Sequence, residues 1–200
     1  VEPRLSASAG KADEWLPIKP GQDGALAVAI SHILLTEGLW YKPFVGDFKE
    51  GKNLFISGQT VDEEAFEELH TNGIIKYWNL ELKDKTPEWA AEITGIPAEQ
   101  IRRVAKGFGL AAPHAISWLG GGPCMQVRGG YTAMAVHALN GIVGAVDNIG
   151  GTLKANKEYT SKFRKPDDFM DDIAKKGKKH EKIDQRGRLE IPCIKSGKPG

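Results

Sequence analysis

The chain has 200 residues, of which 40% are hydrophobic and 26% are charged, and its formal net charge is +1. This length suits one well-cored domain, alone or with an extension that belongs to a neighbour, and it argues against two full domains. The near-neutral charge favours neither nucleic acid nor a membrane surface as a partner, and no apolar run reaches the roughly 20 residues of a membrane span, so we expect a soluble protein.

Residues 1–36 predict extended chain followed by a helix. Pro3 cannot donate to a strand ladder, so the first four residues fit the last step of a strand and a turn, and Trp15–Ile18 is a second extended piece. Apolar residues at helical spacing then predict an amphipathic helix over 24–36, for which Asp23 would be the N-cap.

Three further helices are expected before residue 110. Acidic residues at the start of a helix favour its dipole, and this pattern predicts a short helix over 61–69. Thr86 followed by a proline predicts a capped helix start, and Pro97 predicts a second one, with Ile101, Val104 and Ala105 on one face.

The segment 114–119 is apolar and bounded by Pro113 and Gly120, which predicts a buried parallel strand. A glycine-rich loop follows it, and helical spacing resumes over 131–143. The order strand, loop, helix therefore occurs twice, and it predicts an α/β fold with a parallel sheet.

Residues 154–200 lack apolar periodicity and are densely charged, so we expect a largely irregular extension that contributes little to this core. The chain starts without Met and ends in a short Lys-Ser-Gly-Lys-Pro-Gly stretch, and both ends fit a piece of a longer polypeptide.

Glycine is over-represented, with 24 residues, about one in eight against a usual share of about 7%. Many glycines cluster after the predicted strand at 114–119, where backbone N–H groups could approach a phosphate or a heterocycle. The loop contains neither a P-loop nor a regular GxGxxG pattern, so a tight turn remains an alternative. A second glycine-punctuated stretch over 141–152 fits a helix end and a loop.

Two carboxylates are candidate nucleotide contacts. Glu2 would lie at a strand end, where an acid can accept the hydroxyls of a ribose. The Asp23 carboxylate could accept hydrogen bonds from the adjacent ring N–H and amino group of guanine, and the alternative is that it only caps the helix.

Cysteine and histidine predict no metal site. Cys124 and Cys193 are far apart and form no CxxC or Cys-His spacing, so we expect two buried thiols. The histidines show no metal-ligand spacing either.

The string from Glu2 to Leu26 closely resembles a segment of the molybdopterin oxidoreductases of the dimethyl sulfoxide reductase superfamily, whose usual form contains Asp-Pro-Arg, Trp-Leu-Pro-Ile and Pro-Gly-Thr-Asp-Gly-Ala-Leu. Residues 93–105 resemble the family's Thr-Gly-Val-Pro helix start. Residues 121–130 and 139–152 resemble its glycine-rich loop and its Leu-Thr-Gly-Asn-Ile-Gly segment. The match is collinear over roughly residues 1–153, and this makes it specific.

The resemblance implies an internal fragment of a large catalytic subunit. Residues 1–153 would form a Rossmann-like dinucleotide-binding domain for one of two molybdopterin guanine dinucleotides, and 154–200 an extension that belongs to a neighbouring domain. The resemblance implies three groups of cofactor-binding residues. Near the nucleotide would lie Glu2, Pro3 and Arg4, and at the guanine would lie Gly21, Gln22 and Asp23. Near the pterin would lie Gly121, Gly122, Met125 and Gln126.

Three departures from the family pattern affect these residues. Glu2 replaces the common Asp but keeps a carboxylate, and Gln22 replaces the common Thr but stays polar. Either Met125 or Gln126 could occupy the position where relatives often carry a Gln, so the residue that contacts the pterin is not fixed between these two. The chain lacks the cysteine quartet of the family's 4Fe-4S cluster and an identifiable molybdenum ligand, which lie upstream in the family, so we expect no catalytic residue in this segment.

The implied activity is electron transfer to or from a small substrate, such as a sulfur compound or another oxyanion, in anaerobic respiration. Implied partners are an iron–sulfur subunit and a membrane anchor subunit, with a periplasmic location favoured over a cytoplasmic one. Two alternatives stay open. One is a catalytic subunit similar to formate dehydrogenase, and the other is a non-enzymatic nucleotide-binding module.

Overall fold

A computed structural model describes residues 1–153 and 169–179. The chain divides into two compact units, Val1–Lys154 and Ala155–Gly200. Within the described ranges, no helix combines the length and the apolar character that crossing a membrane requires.

The described elements are mostly helical, with one small sheet. The helices are α1 (Asp23–Thr36), α2 (Lys42–Val45), α3 (Ile74–Tyr77), α4 (Pro87–Thr94), α5 (Ala98–Leu110), α6 (Gly121–Cys124), α7 (Gly129–Ile142) and α8 (Asp172–Lys179). The strands are β1 (Gly46–Phe48) and β2 (Phe66–Glu68), which pair antiparallel. Two 3₁₀ turns, Ala9–Lys11 and Glu63–Ala65, and one π-helical turn, Trp78–Leu82, complete the set.

Helix α1 is the centre of the first unit. It packs against α4, α5, α7 and the π-helical turn. The sequence predicted an amphipathic helix with one buried face, but more of the helix is buried than that. Nearly every position from Leu26 to Leu35 is buried, including the polar Ser31 and His32. Helices therefore surround α1 on most sides, and this explains why its apolar residues outnumber those of a surface helix.

The two buried polar side chains of α1 both have partners. The Ser31 hydroxyl donates to the Ala27 carbonyl one turn earlier, at 3.0 Å. His32 Nδ1 lies 2.7 Å from the Leu82 carbonyl oxygen, so this nitrogen carries the proton, and the ring stacks on Trp78. Burial lowers the pKa of His32 below its ordinary 6.5, against the opposing effect of the hydrogen bond to Leu82.

The helix predicted over 61–69 is wrong. Asp62 caps a 3₁₀ turn by accepting from the Glu64 N–H, and the chain then enters β2. Strand β2 buries Phe66 in a cluster of aromatic rings whose centroids lie 4.9 to 6.2 Å apart and whose other members are Trp40, Phe48 and Phe55. This tertiary packing overrides the local acidic pattern.

Three helix predictions are confirmed with small shifts of their ends. Thr86 accepts from the Trp89 N–H at the start of α4, as the Thr-Pro pair predicted. Helix α5 begins at Ala98, with Pro97 at its N-cap position. Helix α7 begins two residues before the predicted start at 131.

The predicted buried strand at 115–119 is not part of a sheet in this structure. Its side chains alternate, and Ile116 and Trp118 are 44% and 79% exposed. Among the described residues no strand lies beside it. The backbone N–H and C=O of Ser117 instead bond to the side chain of Asn140 on α7. The first residues of the chain are not a strand either, although the Glu2 N–H donates to the Leu16 carbonyl at 3.1 Å.

The described part of the second unit contains α8, where the charge pattern predicted irregular chain. The helix contains few apolar residues, which explains why apolar periodicity did not reveal it. The remainder of that extension, including Cys193, lies outside the described residues.

Helices α5 and α1 approach closely at Gly109. A Cβ at this position would lie 2.7 Å from Leu34 Cδ2 and 2.8 Å from Leu39 Cβ, whereas a Cβ at Gly107, in the same helix, would meet nothing within 4 Å. The two glycines therefore share a helix and differ only in what surrounds them.

Gly109→Ala should lower the free energy of unfolding of the chain by about 1 to 3 kcal/mol, because the Leu39 Cβ cannot swing away. Gly107→Ala should raise it by up to about 1 kcal/mol, since alanine is the better helix former and has room. Chemical denaturation of both variants checks the pair. Equal effects of the same sign would contradict the packing at Gly109.

His32 should make the folded unit sensitive to acid. Because its pKa is lower in the folded than in the unfolded state, the unfolded chain binds the extra proton as the pH falls below about 6.5, and stability is lost at up to about 1.4 kcal/mol per pH unit. His32→Asn can keep a donor to the Leu82 carbonyl and should remove this part of the slope. Denaturation between pH 7.5 and 5 measures it, with His137→Gln, an exposed position, as control.

Candidate functional site

Two segments that the sequence separates by a hundred residues meet at the start of α1. Gly21 has a φ of +83°, and a Cβ there would lie 2.2 Å from Gln126 Oε1. A Cβ at Gly24 would similarly lie 3.1 Å from Thr132 Oγ1. The structure therefore brings together two of the three groups of predicted site residues, and the positive φ at position 21 favours glycine there.

Asp23 is the first residue of α1, and Gln22 occupies the N-cap position without a side-chain cap hydrogen bond. The interpretation of Asp23 as a side-chain helix cap is therefore wrong. Among the residues that the structure describes, no hydrogen bond or ion pair reaches its carboxylate. The half-buried anion lies at the positive end of the helix dipole, which stabilises it and leaves its oxygens available to external donors.

The glycine-rich loop contains one helical turn, α6, rather than irregular chain throughout. Added Cβ atoms at Gly120 and Gly122 would meet nothing within 4 Å, so a planar group could approach the backbone there. Met125 is 86% exposed, and Val127 is 94% exposed. The loop thus presents open backbone and uncovered apolar side chains on the same stretch of chain.

Strain and close contact mark the point where this loop enters α7. Arg128 has a φ of +66°, and a Cβ at Gly129 would lie 2.0 Å from the Cys124 carbonyl oxygen. Glycine is therefore required at 129. Cys124 is exposed and forms no disulfide, contrary to the prediction of a buried thiol.

The segment before the loop is fixed to α7 by Asn140, a residue that sequence reasoning missed. Its amide Oδ1 accepts from the Ser117 N–H at 2.7 Å, and its Nδ2 donates to the Ser117 carbonyl at 3.0 Å. The Ser117 hydroxyl donates to the Val136 carbonyl at 2.6 Å. The pattern that could have revealed Asn140 is a polar residue on the apolar face of a predicted helix.

The third predicted group, Glu2, Pro3 and Arg4, has its contacts elsewhere. The Glu2 carboxylate accepts from the Ser6 hydroxyl at 3.0 Å and lies 3.9 Å from Arg4 Nε. The Glu2 carbonyl accepts from the Trp15 indole N–H. In the described residues, the hydrogen bonds of this group stay within the first sixteen positions, and none connects it to the start of α1.

A cleft of about 1400 Å³ lies beside the start of α1. The predicted residues Gly21 and Gln22 line it, and so do residues that sequence reasoning did not select, among them His70, Tyr77, Lys85, Trp89 and Arg128. No motif could have identified most of them, because 41–85 follows no regular pattern.

Tyr77 has an unusual environment in this cleft. Its hydroxyl is buried and has no hydrogen-bond partner among the described residues. Burial raises the pKa of Tyr77 to about 12. The phenol is therefore neutral at physiological pH.

No group of three or more His, Cys, Asp or Glu side chains that could hold a metal ion occurs within 1–153 and 169–179. The described residues of the site offer carboxylate, amide and uncovered backbone groups, which suit the binding of a ligand.

No protein-family model matches the chain. Among curated proteins, it is 56% identical over 200 residues to the molybdopterin-containing subunit ArrA of the arsenate respiratory reductase of Chrysiogenes arsenatis, covering all of this chain and 23% of that protein. The corresponding subunit of Shewanella sp. strain ANA-3 is 55% identical over 201 residues. This match covers all of the present chain and 24% of that protein. The chain thus spans about a quarter of the length of these curated relatives.

More distant relatives extend the same pattern. The probable dimethyl sulfoxide reductase chain YnfF of Escherichia coli K12 is 39% identical over 152 residues, covering 76% of this chain and 18% of that protein. Among solved structures, the acetylene hydratase from Pelobacter acetylenicus superposes with a TM-score of 0.55 at 26% identity, covering 72% of this chain and 16% of that one. The chain belongs to the molybdopterin oxidoreductases of the dimethyl sulfoxide reductase superfamily.

Proposed function

We propose that the chain is part of the large catalytic subunit of a molybdenum-dependent oxidoreductase, and that residues 1–153 bind one molybdopterin guanine dinucleotide. The observation that carries the proposal is the meeting of Gly21 with Gln126, which joins the segment expected at guanine to the segment expected at the pterin. Identity of 56% and 55% over the whole chain to two molybdopterin-containing subunits supports it.

The described residues fit such a cofactor in two respects. The Asp23 carboxylate has no partner among the described residues and can accept the adjacent ring N–H and amino group of guanine. The backbone at Gly120 and Gly122 is uncovered, so a flat heterocycle can reach its N–H and C=O groups.

Each group of residues then has a separate task. Gly21, Gln22 and Asp23 would hold the guanine, and Gly121, Gly122, Met125 and Gln126 would contact the pterin. Glu2, Pro3 and Arg4 would lie near the nucleotide, which requires that Glu2 exchange its Ser6 contact for a ribose hydroxyl. When bound, the cofactor supplies the redox chemistry at its metal, and these side chains bind and orient it.

The substrate we propose is a small oxyanion, by analogy with the arsenate reductases that match the whole chain. Its two-electron reduction would take up two protons and release one oxygen as water. The molybdenum ligand and a 4Fe-4S cluster would come from parts of the subunit outside these residues. An iron–sulfur partner subunit would deliver the electrons from a membrane anchor subunit.

The full-length subunit, purified after anaerobic expression, tests the function. Molybdenum and guanine nucleotide should co-purify with it, and a reduced viologen dye should be oxidised when arsenate is added. Oxidation of formate in place of this activity would favour the alternative of a formate dehydrogenase. A subunit that binds a nucleotide but no molybdenum would favour the non-enzymatic module.

The Rossmann-like parallel sheet is also part of the proposal. The backbone groups of Ser117 face Asn140, and those of Ile116 and Trp118 point to the opposite side, because successive residues of extended chain alternate. Among the described residues, nothing bonds to Ile116 or Trp118. We infer that this edge pairs with a strand from elsewhere in the full-length subunit, and that 154–200 packs on a neighbouring domain.

Amide hydrogen exchange of Ile116 and Trp118 checks the inferred strand. In the 200-residue chain both amides should exchange rapidly, and in the full-length subunit they should be protected by about 100-fold or more, as in buried sheet. The Ser117 amide, which already donates to Asn140, serves as the internal control and should be protected in both. Rapid exchange of Ile116 and Trp118 in the full-length subunit would rule out the pairing.

Asp23→Asn tests the guanine contact in the full-length subunit. The substitution keeps the size but removes the charge and turns an amide donor toward guanine donors. Loss of charge-assisted hydrogen bonds worth about 1.5 to 3 kcal/mol should lower cofactor retention by about 10- to 100-fold. Molybdenum and guanine nucleotide content per purified subunit measures the loss.

The melting temperature of the cofactor-free protein should fall only slightly, because Asp23 makes no cap hydrogen bond and the lost charge removes only its interaction with the helix dipole, worth about 0.3 to 1 kcal/mol. Asp62→Asn is the matched control: it is an exposed acid that caps a turn elsewhere, and asparagine can replace it there. Full cofactor content in Asp23→Asn would refute the contact.

A further inference from the structure

The amide of Asn140 substitutes for the edge of a neighbouring β-strand. It is 4% exposed and satisfies both backbone groups of Ser117, the N–H through Oδ1 and the C=O through Nδ2. Backbone groups that leave water need such partners, and Ser117 has no backbone partner among the described residues. The position of the extended segment on α7 is therefore set mainly by Asn140, with one further bond from the Ser117 hydroxyl to the Val136 carbonyl.

Both ends of the glycine-rich loop are held by the same helix. Residues 118–128 start just after Ser117, which is fixed near the C-terminal end of α7, and they finish at Gly129, which begins α7 and is packed on the Cys124 carbonyl. At 1.5 Å per residue, the two anchor points on the helix are roughly 16 Å apart. Helix α7 therefore fixes the distance between the two ends of the loop as long as the bonds between Asn140 and Ser117 are intact.

We infer that Asn140 is a positioning residue for the cofactor. It acts through Ser117 to fix where the backbone of Gly121 to Gln126 lies, and it touches no cofactor atom itself. This inference rests on the proposed function, because it takes that loop as the pterin contact. Partners that orient a ligand-binding group typically change affinity by about 10- to 100-fold when they are removed.

The same chain contains a matched control. Asn79 makes an equivalent pair of bonds with Val61, accepting from its N–H at 2.8 Å and donating to its carbonyl at 2.7 Å. Removing either amide breaks the same two kinds of hydrogen bond. Only Asn140 lies beside the glycine-rich loop, so the two variants separate a positioning effect from a loss of stability.

The experiment compares full-length subunits carrying Asn140→Ala, Asn140→Ser, Asn79→Ala or Ser117→Ala with the unchanged protein. Molybdenum and guanine nucleotide are measured per folded subunit. Asn140→Ala should retain about tenfold less cofactor than the unchanged subunit, and Asn140→Ser, whose hydroxyl can keep one bond, should be intermediate. Ser117→Ala keeps the backbone contact and should retain nearly all of it.

Asn79→Ala should lower the melting temperature as much as Asn140→Ala and still retain the cofactor. In cofactor-free protein, amide exchange should accelerate at Ser117 in Asn140→Ala and not in Asn79→Ala. If Asn140→Ala does not fold, the comparison of Asn140→Ser with Asn79→Ala decides.

The outcomes separate the two proposals. An unchanged subunit that contains no molybdenum would overturn the proposed function itself. A loaded unchanged subunit, with equal cofactor content in the Asn140 and Asn79 variants, would leave the proposed function standing and reduce Asn140 to a structural residue.

Discussion

Helix α1 has almost no side that faces solvent, and this burial organises the first unit. Its positions from Leu26 to Leu35 contact α4, α5, α7 and the π-helical turn at Trp78–Leu82. Because a helix buried on most sides leaves no room for polar atoms without partners, Ser31 and His32 each bond to a main-chain carbonyl. Small residues are required where another helix approaches, as at Gly109.

The same packing builds the candidate site. Helix α7 lies on α1, so the loop that precedes α7 meets the loop that precedes α1, and Gln126 contacts Gly21. The two helix starts are therefore side by side, with Asp23 at one of them. Neither loop could create this arrangement alone, which is why each motif indicates so little when taken singly.

Local patterns predicted those elements whose own residues determine them. Thr86 and the proline after it mark the start of α4, and the apolar spacing marks α1 and α7, because capping and periodicity act within one turn or one face. The candidate site groups followed from a collinear resemblance, and the structure joins two of them.

Elements that depend on distant partners could not be predicted. Phe66 lies in a strand because three other rings pack on it, although the acidic residues before it suggest a helix. The apolar run at 115–119 suggested a buried strand, yet burial of a strand requires neighbouring strands, and among the described residues its backbone bonds to the side chain of Asn140 instead. Tyr77 belongs to no motif, and Asn140 is marked in the sequence only as a polar residue on an apolar helix face, so it is packing that identifies their surroundings.

The residue after Asn140 is Gly141, and an Asn-Gly pair is prone to deamidation, which would destroy the contact with Ser117. In unfolded chain, the backbone nitrogen of a glycine readily attacks the side-chain carbonyl of a preceding asparagine and expels ammonia, and water then opens the resulting ring to aspartate or isoaspartate. Helical backbone and the two bonds to Ser117 hold the Asn140 amide away from this geometry. Each opening of the C-terminal turn of α7 exposes the amide to deamidation. Subunits that remain partly folded would therefore lose Asn140 irreversibly over time.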